Sequence, residues 1–197
     1  MKINLLFILL IIAFASCTAD FSSFLKNNTL QNVSSEKNAF AQVIENKPVV
    51  LVFFATDCPI CQRYVPILRG MADSISDIKF ILVFSKWETK EAIKTFAVDL
   101  NMDSHMPNQA THNITLLEDT ENYLIKKLKA TTTPEAFFYS KNHQLLYRGA
   151  IDNWFYALGR YRPQATEHYL QNAINQYLNN DKITISNTKA VGCFIEY

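Results

Sequence analysis

An excess of charge of either sign is missing from this sequence. Its 197 residues contain 19 lysines and arginines against 18 aspartates and glutamates, a formal net charge of +1. Nucleic-acid-binding domains usually concentrate basic residues, so this balance argues against a nucleic-acid partner. Internal repeats are also missing. The 49% of hydrophobic and 13% of aromatic residues suffice for one substantial core, so we expect a single globular domain.

Cysteine is scarce, and a second C-x-x-C pair is absent. Of the four cysteines, only Cys58 and Cys61 have this spacing. A structural zinc site normally needs four ligands at recognisable spacing, so half a zinc site is disfavoured, and a redox pair is preferred over a structural disulfide. Thioethers and imidazoles suit copper, and four of these side chains lie close together in the sequence. We interpret these four as loop and surface residues and expect neither a metal nor another cofactor. They are Met102, His105, Met106 and His112.

A long apolar run is absent too. The segment from Leu5 to Ala15 follows Met1 and Lys2 and is too short for a permanent membrane span, so it is interpreted as an export signal. Phe14-Ala15-Ser16-Cys17 is similar to a lipobox, which makes Cys17 the predicted lipidation site and membrane anchor. The alternative is ordinary cleavage after Ala13-Phe14-Ala15. Both readings place the protein outside the cytoplasm.

The chain is therefore divided into four segments. They are a lipoprotein signal peptide (1–16), a polar tether (17–34), an α/β domain (35–182) and a C-terminal tail (183–197), for which a returning strand is expected.

The Cys pair directly follows a run of six apolar residues, Val49–Phe54, which is typical of a strand buried on both faces. Pro59 suits the first position of a helix because its missing N–H would be unpaired there. Cys58 is thus predicted at a helix N-terminus, where the helix dipole stabilises a thiolate. Cys61 lies one turn later. The spacing allows a disulfide between them and leaves only Cys58 at the exposed end of the helix, so it predicts that Cys58 attacks and Cys61 resolves.

The chain resembles the thioredoxin-like thiol–disulfide oxidoreductases of the bacterial envelope, the TlpA/ResA-like group, which overlaps the redoxin (AhpC/TSA) family. The resemblance rests on FFATDCPICQRYVP (53–66), on Thr133–Phe138 and on Tyr147–Asp152. It implies an α/β, thioredoxin-like fold. A central mixed β-sheet would have helices on both faces, with an inserted αβ unit between the C-x-x-C helix and a cis-proline.

The resemblance also implies roles for residues far along the chain. Pro134 would be the cis-proline packed against the C-x-x-C, and the backbone of Thr133 would hydrogen-bond the substrate. Glu135, beside that proline, is the candidate proton acceptor for Cys61. Gly149 would let a substrate backbone approach. Arg148 and Asp152 are expected to form a structural pair, while Asp57, Pro59 and Ile60 complete the surroundings of the two thiols.

Two thioredoxin features are missing. The residue before the first cysteine is Asp57 instead of tryptophan, and the Val49–Phe54 strand has no acidic residue. A carboxylate next to Cys58 opposes thiolate formation, and Pro59 removes one amide donor. We therefore expect a Cys58 pKa only modestly below that of free cysteine, which would make the couple reducing.

The functional hypothesis is a reductant of protein disulfides, anchored on the periplasmic side of the cell envelope and recharged by a membrane electron donor. Two alternatives stay open. A peroxiredoxin-like peroxidase is expected to have Thr and Pro where this chain has Ala55 and Leu51. A copper-delivery protein would use a C-x-x-x-C. Cys193 is left over and its role stays open, the simplest interpretation being a buried apolar thiol in a terminal strand.

Periodicity and turn residues predict the remaining elements. Helices are expected at 35–45, 59–72, 88–100 and 164–178, the second with a bend at Pro66. A further helix is expected to start after a cap at Asp119 or Thr120 and to end near residue 128. Strands are expected at 79–84, 113–117, 135–140 and 145–148.

Overall fold

The computed structural model describes residues 31–32, 47–99 and 113–196, without the side chains of 31, 32 and 99. The predicted leader, Cys17, the helix at 35–45 and the Met and His residues between 102 and 112 lie outside these ranges. The described strands are β1 (Gln31–Asn32), β2 (Val49–Phe54), β3 (Lys79–Ser85), β4 (Ile114–Asp119), β5 (Thr132–Thr133), β6 (Glu135–Tyr139), β7 (Leu145–Gly149), β8 (Phe155–Ala157), β9 (Arg160–Tyr161) and β10 (Cys193–Phe194). The described helices are α1 (Pro59–Ser74), α2 (Lys90–Asp99), α3 (Tyr123–Leu128) and α4 (Tyr169–Leu178).

A mixed sheet forms the centre of the molecule, with the strand order β1-β4-β3-β2-β6-β7. Strands β2, β3 and β4 are parallel, whereas β6 is antiparallel to β2 and β7 is antiparallel to β6. Two short pairs, β5 with β10 and β8 with β9, lie outside this sheet. The predicted α/β architecture is confirmed. Between β3 and Pro134 the chain forms α2, β4 and α3, which places an additional αβ unit where the resemblance implies one.

Both faces of the sheet are covered by helices. Along β2 the side chains alternate between faces, as a strand requires, so that Val52 and Phe54 pack with α1, α2 and α4, while Leu51 and Phe53 pack with α3. All six residues of β2 are buried. Its continuous apolar run is therefore explained by burial on both sides.

Helix α1 starts with Pro59 at its first turn and continues through Pro66 to Ser74. Helix α3 is short, and its start is fixed by Asp119, the last residue of β4. The Asp119 carboxylate accepts hydrogen bonds from the backbone N–H of Tyr123 (2.7 Å) and of Ile125 (3.0 Å). Asp119 thus accepts the hydrogen bonds predicted for a cap at Asp119 or Thr120, although the N-cap residue itself is Asn122.

Helix α4 begins at Tyr169, later than the predicted position 164. The preceding residues are held in a loop, because the Asn153 side-chain oxygen accepts hydrogen bonds from the N–H groups of Thr166 and Glu167. The sequence analysis also missed the β8–β9 hairpin before this loop. No helix within the described ranges is long and apolar enough to cross a bilayer.

Candidate redox site

Cys58 lies at the point where the loop after β2 becomes helix α1. It is the N-cap residue of this helix, and its backbone oxygen accepts the first helical hydrogen bond from the N–H of Gln62 (3.1 Å). Its side chain is 1% exposed and that of Cys61 is fully buried. Ile60 is buried between them, whereas Asp57 is exposed. The predicted position of Cys58 at the start of the helix is confirmed. Its predicted exposure is wrong, since Cys58 is buried like Cys61.

A third thiol completes the site. Cys193, on β10, lies with its Sγ atom 2.8 Å from the Sγ atom of Cys58, although 135 residues separate them in the chain. None of these three cysteines forms a disulfide bond in the structure. The expectation that Cys193 is only a buried apolar thiol is wrong, because it is half-buried and in polar contact with Cys58.

The pKa of Cys58 is lowered from 9.0 to about 5. The largest cause is the hydrogen bond from the Cys61 side chain; burial acts in the opposite direction, and a hydrogen bond from Cys193 lowers the pKa further. Hydrogen bonds to the charged form stabilise it. The expectation of a pKa only modestly below that of free cysteine is therefore wrong, since it considered Asp57 and Pro59 but not the two thiol donors.

The two donor thiols are held in the protonated form. Burial, together with the neighbouring Cys58, raises the pKa of Cys61 well above its ordinary value. Burial raises the pKa of Cys193 to about 12, with contributions from Cys58 and from the charge of Asp57. At neutral pH the site thus contains one thiolate, Cys58, and two thiols that donate to it. This is the arrangement of one attacking and one or two resolving groups.

Thr133 and Pro134 lie against this cluster. The peptide bond between them is cis, as the resemblance implied, and the Cys58 Sγ atom lies 3.5 Å from the Thr133 carbonyl oxygen. The backbone of Thr133, however, faces Cys193 of β10 in an antiparallel pair. A segment of the chain itself therefore occupies the edge where a substrate backbone was expected.

Glu135 is the predicted proton acceptor for Cys61, and the structure places it in an ion pair instead. Its buried carboxylate accepts hydrogen bonds from Arg148 Nε (2.7 Å) and from the N–H of Thr131 (3.0 Å). Arg148 also lies 4.8 Å from the centre of the Phe137 ring. With both oxygens occupied in this way, Glu135 is better explained as a structural anion than as a base for Cys61.

The predicted pairing of Arg148 with Asp152 is wrong. Arg148 pairs with Glu135, while buried Asp152 accepts hydrogen bonds from Tyr64 Oη (2.5 Å) and from the N–H of Trp154 (2.8 Å). Burial and the Asp152 carboxylate raise the pKa of Tyr64. Because Tyr64 belongs to α1, this contact connects the helix that carries the thiols to the loop after β7.

Gly149 is closely approached, as predicted, but by a different segment. Its φ angle is +135°, and an added Cβ atom would lie 2.1 Å from the Thr188 carbonyl oxygen. The approaching backbone is thus that of the C-terminal segment, and the prediction of a substrate at Gly149 needs this correction.

Glu88 is a supporting residue that the sequence analysis missed. Its carboxylate accepts hydrogen bonds from the N–H of Thr56 (3.1 Å) and from the Thr56 hydroxyl (2.6 Å), which fixes the loop before Cys58. A carboxylate four residues after the second predicted strand, 79–84, was the available signal. Only the parallel β2–β3 pairing brings that position next to Thr56.

A cavity of about 420 Å³ opens beside the cluster. Its lining includes Asp57, Glu88, Thr133, Cys193 and two strongly exposed aromatic residues, Trp87 and Phe194. Within the described ranges, no group of three or more His, Cys, Asp or Glu side chains is arranged to hold a metal ion.

Comparisons with known proteins agree with this architecture. The sequence profile described as the AhpC/TSA family matches residues 22–148, more than half of the chain. No curated protein matches the sequence.

Similar solved structures include a hypothetical protein of Sinorhizobium meliloti 1021 (18% identity, TM-score 0.69, 86% of this chain and 90% of that chain). A secreted disulfide oxidoreductase of Mycobacterium tuberculosis is also similar (21% identity, TM-score 0.50, 61% of this chain and 81% of that chain). So is an exposed lipoprotein thioredoxin of Streptococcus pneumoniae strain TIGR4 (22% identity, TM-score 0.52, 78% of this chain and 98% of that chain). At these identities the likeness shows the fold, which is thioredoxin-like.

Proposed function

This chain belongs to the AhpC/TSA family, and from that premise we propose that it is a thiol–disulfide oxidoreductase of the cell envelope in which Cys58 attacks and Cys61 resolves. One observation carries the proposal. The reduced site contains a single thiolate, Cys58, with a pKa of about 5, and the Cys61 thiol one helical turn away donates the largest stabilising hydrogen bond to it.

In the proposed reaction, the Cys58 thiolate attacks one sulfur of a protein disulfide. A bond forms between Cys58 and that sulfur, the substrate S–S bond breaks, and the second substrate sulfur leaves as a thiolate that takes up a proton. Cys61 then loses its proton and attacks Cys58 Sγ. The mixed disulfide breaks, the substrate leaves fully reduced, and the protein holds a Cys58–Cys61 disulfide.

The burial of Cys61 fits the second step. Its raised pKa keeps it protonated and unreactive toward solvent until Cys58 has been consumed in the mixed disulfide. Once the Cys58 negative charge is gone, one cause of that raised pKa disappears, so Cys61 becomes easier to deprotonate.

We further propose the reducing direction, with disulfide-bearing proteins as substrates and a thiol-reducing membrane protein as the electron donor. The preformed thiolate supports fast attack on disulfides. It acts against the reducing direction in one respect, because a stabilised thiolate favours the reduced form and makes the couple more oxidising than the sequence alone suggested. The reduction potential decides the direction. A value near about −270 mV supports a reductant, and one near about −120 mV would reverse the assignment to an oxidant.

The envelope location and the TlpA/ResA-like assignment also belong to this proposal. They are supported by the leader-like residues 1–16 and by the similarity to secreted and lipoprotein thioredoxin-like proteins. Metabolic labelling with a radioactive fatty acid should mark the wild-type protein and not Cys17→Ser. Equal labelling of both would contradict lipidation at Cys17.

The activity itself is tested by reduction of insulin disulfides with dithiothreitol as the electron source. Wild type and the control Gly70→Ala should accelerate the reaction, because Gly70 lies in α1 with open space around it. Cys58→Ser should be inactive. Wild-type protein that is no faster than Cys58→Ser would exclude the proposed activity.

A peroxidase is the second candidate, and the same thiolate favours it, since peroxide attacks thiolates. Hydrogen peroxide would convert Cys58 to a sulfenic acid, which a neighbouring thiol would resolve with release of water. Ala55 and Leu51 stand where peroxidases of this family are expected to have Thr and Pro. Rapid-mixing kinetics with hydrogen peroxide separate the two. We expect slow sulfenic acid formation, and fast formation would favour the peroxidase.

A further inference from the structure

After α4 the chain returns across β7 toward the thiols. The N–H of Arg148 donates to the Ser186 carbonyl oxygen, and the N–H of Thr188 donates to the Arg148 carbonyl oxygen, both at 3.0 Å. The Thr188 hydroxyl also contacts Tyr147 Oη (2.5 Å) and accepts a hydrogen bond from the N–H of Ala150 (3.0 Å). These contacts fix the C-terminal segment at residues 186–188 before it reaches the site.

The same segment then packs tightly on the backbone that precedes Pro134. An added Cβ atom on Gly192 would lie only 1.9 Å from the Thr133 carbonyl oxygen. The two backbones can therefore approach this closely only because residue 192 is a glycine. Beyond Gly192, Cys193 pairs with Thr133 and Phe194 with Thr132. The N–H of Ile195 donates to the Thr131 carbonyl oxygen (3.1 Å).

This pairing is what an extended substrate segment would form when it adds a strand at an exposed backbone edge. Cys193 occupies the place of the substrate cysteine within it. Its Sγ atom lies 2.8 Å from Cys58 Sγ, while a disulfide bond measures about 2.05 Å, so the two sulfur atoms need to approach by less than an ångström.

We propose that Cys193 is a third redox-active thiol, which the C-terminal strand presents to Cys58 in the manner of a substrate cysteine, so that a disulfide can pass from Cys58–Cys61 to Cys58–Cys193. The proposal rests on the proposed function, since it requires that Cys58 exchanges disulfides. It adds an internal substrate that competes with external ones for the same backbone edge.

The exchange needs no external oxidant. Cys193 loses its proton to solvent and attacks Cys58 Sγ of the Cys58–Cys61 disulfide. The Cys58–Cys193 bond forms, the Cys58–Cys61 bond breaks, and Cys61 leaves as a thiolate that takes up a proton. One disulfide exists before and after the step, so the oxidation state of the protein is unchanged.

The test uses oxidised glutathione as the probe and a Cys17→Ser background, which leaves the three thiols of the site. Reduced Cys61→Ser and Cys61→Ser/Cys193→Ser are treated with the probe and analysed by intact mass and disulfide mapping. In the double variant, a glutathione adduct should accumulate on Cys58. In Cys61→Ser, Cys193 should expel glutathione and form an internal Cys58–Cys193 disulfide. The glutathione adduct should therefore be at least about tenfold less abundant than in the double variant.

The outcomes distinguish the proposed role of Cys193 from the proposed oxidoreductase function. Adduct of equal amount and lifetime in both variants would overturn the role of Cys193 and leave the proposed function intact. No adduct in the double variant, together with no insulin reduction by the wild type, would overturn both. A second measurement needs no substitution in the three-thiol site, namely disulfide mapping of the partly oxidised Cys17→Ser protein. It should yield a Cys58–Cys193 peptide beside Cys58–Cys61, and its absence contradicts the proposal.

Discussion

Cys61 and Cys193 both donate to the Cys58 thiolate, but they reach it from two regions that are built differently. Cys61 is fixed by local geometry, three residues along the same helix and fully buried. Cys193 is fixed by a path of backbone contacts with β7 and β5, and it stays half-buried. The comparison indicates that the donor from the helix depends on local geometry alone, whereas the donor from the C-terminal strand depends on long-range backbone pairing.

The largest expected effect comes from removing the donor on the helix, Cys61. In reduced Cys61→Ala, the Cys58 pKa should rise from about 5 toward 9.0 by more than in Cys193→Ala, because the Cys61 hydrogen bond is the largest lowering cause. Thiolate, and with it alkylation of Cys58, should fall about tenfold for each unit by which the pKa exceeds the assay pH. Thiolate absorbance against pH gives both values. A larger shift in Cys193→Ala would reverse the ranking of the two regions.

Detaching the C-terminal strand should have the next largest effect. In Gly192→Val, the new Cβ atom cannot fit 1.9 Å from the Thr133 carbonyl oxygen, so β10 should separate from β5. Alkylation of Cys193 should become several-fold faster, and overpacking should cost about 1–3 kcal/mol of stability. Timed alkylation with peptide mapping measures this. Gly70→Ala is the matched control and should behave as wild type, since nothing lies within 4 Å of its added Cβ atom.

The lowered Cys58 pKa also predicts how stability changes with pH. Since the folded-state value of about 5 lies below the ordinary value of 9.0, the unfolded chain binds more protons between these values. The stabilisation from the thiolate is full above about pH 9 and is lost as the pH falls through about 5. The difference in melting temperature between reduced wild type and Cys58→Ser should therefore move in favour of the wild type as the pH rises across this window. A constant difference would contradict the thiolate assignment.

A smaller effect on the thiols is expected from Glu88, which supports the loop before Cys58. Glu88→Ala leaves the N–H and hydroxyl of Thr56 without their acceptor and should cost about 1–3 kcal/mol in denaturant unfolding. Glu121→Ala, at an exposed turn position, is the control and should change stability little. If the two variants are equally stable, Glu88 does not fix the loop.

Asp57→Asn should have the smallest effect on Cys58. Asp57 is exposed, and its charge is a cause of the raised Cys193 pKa but is not among the causes that shift Cys58. The variant should lower the Cys193 pKa slightly and leave the Cys58 titration nearly unchanged. A clear drop in the Cys58 pKa would restore the argument made from sequence alone, in which Asp57 was the dominant neighbour.

The same contrast explains what the sequence could predict. The β2–α1 region was predicted closely because its signals are local: a doubly buried apolar run, a proline at the first helical turn and a fixed cysteine spacing. The Cys58 pKa was mispredicted because both thiol donors were left out. The larger contribution, from Cys61, follows from the local spacing, whereas the second donor, Cys193, arrives from 135 residues away. Arg148 was paired with the wrong carboxylate for a related reason, since Glu135 becomes its neighbour only through the antiparallel β6–β7 pairing. Long-range pairing is not encoded in local periodicity.

The sequence distance between Cys58 and Cys193 has a consequence for the unfolded chain. A Cys58–Cys61 disulfide closes a ring of a few residues and hardly restricts the denatured ensemble. A Cys58–Cys193 disulfide would tie together chain segments 135 residues apart. Loop-closure entropy for a ring of that size corresponds to roughly 5 kcal/mol. Two oxidised forms of identical mass would thus differ in melting temperature, and the partner of Cys58 would determine the free energy of unfolding of the oxidised protein.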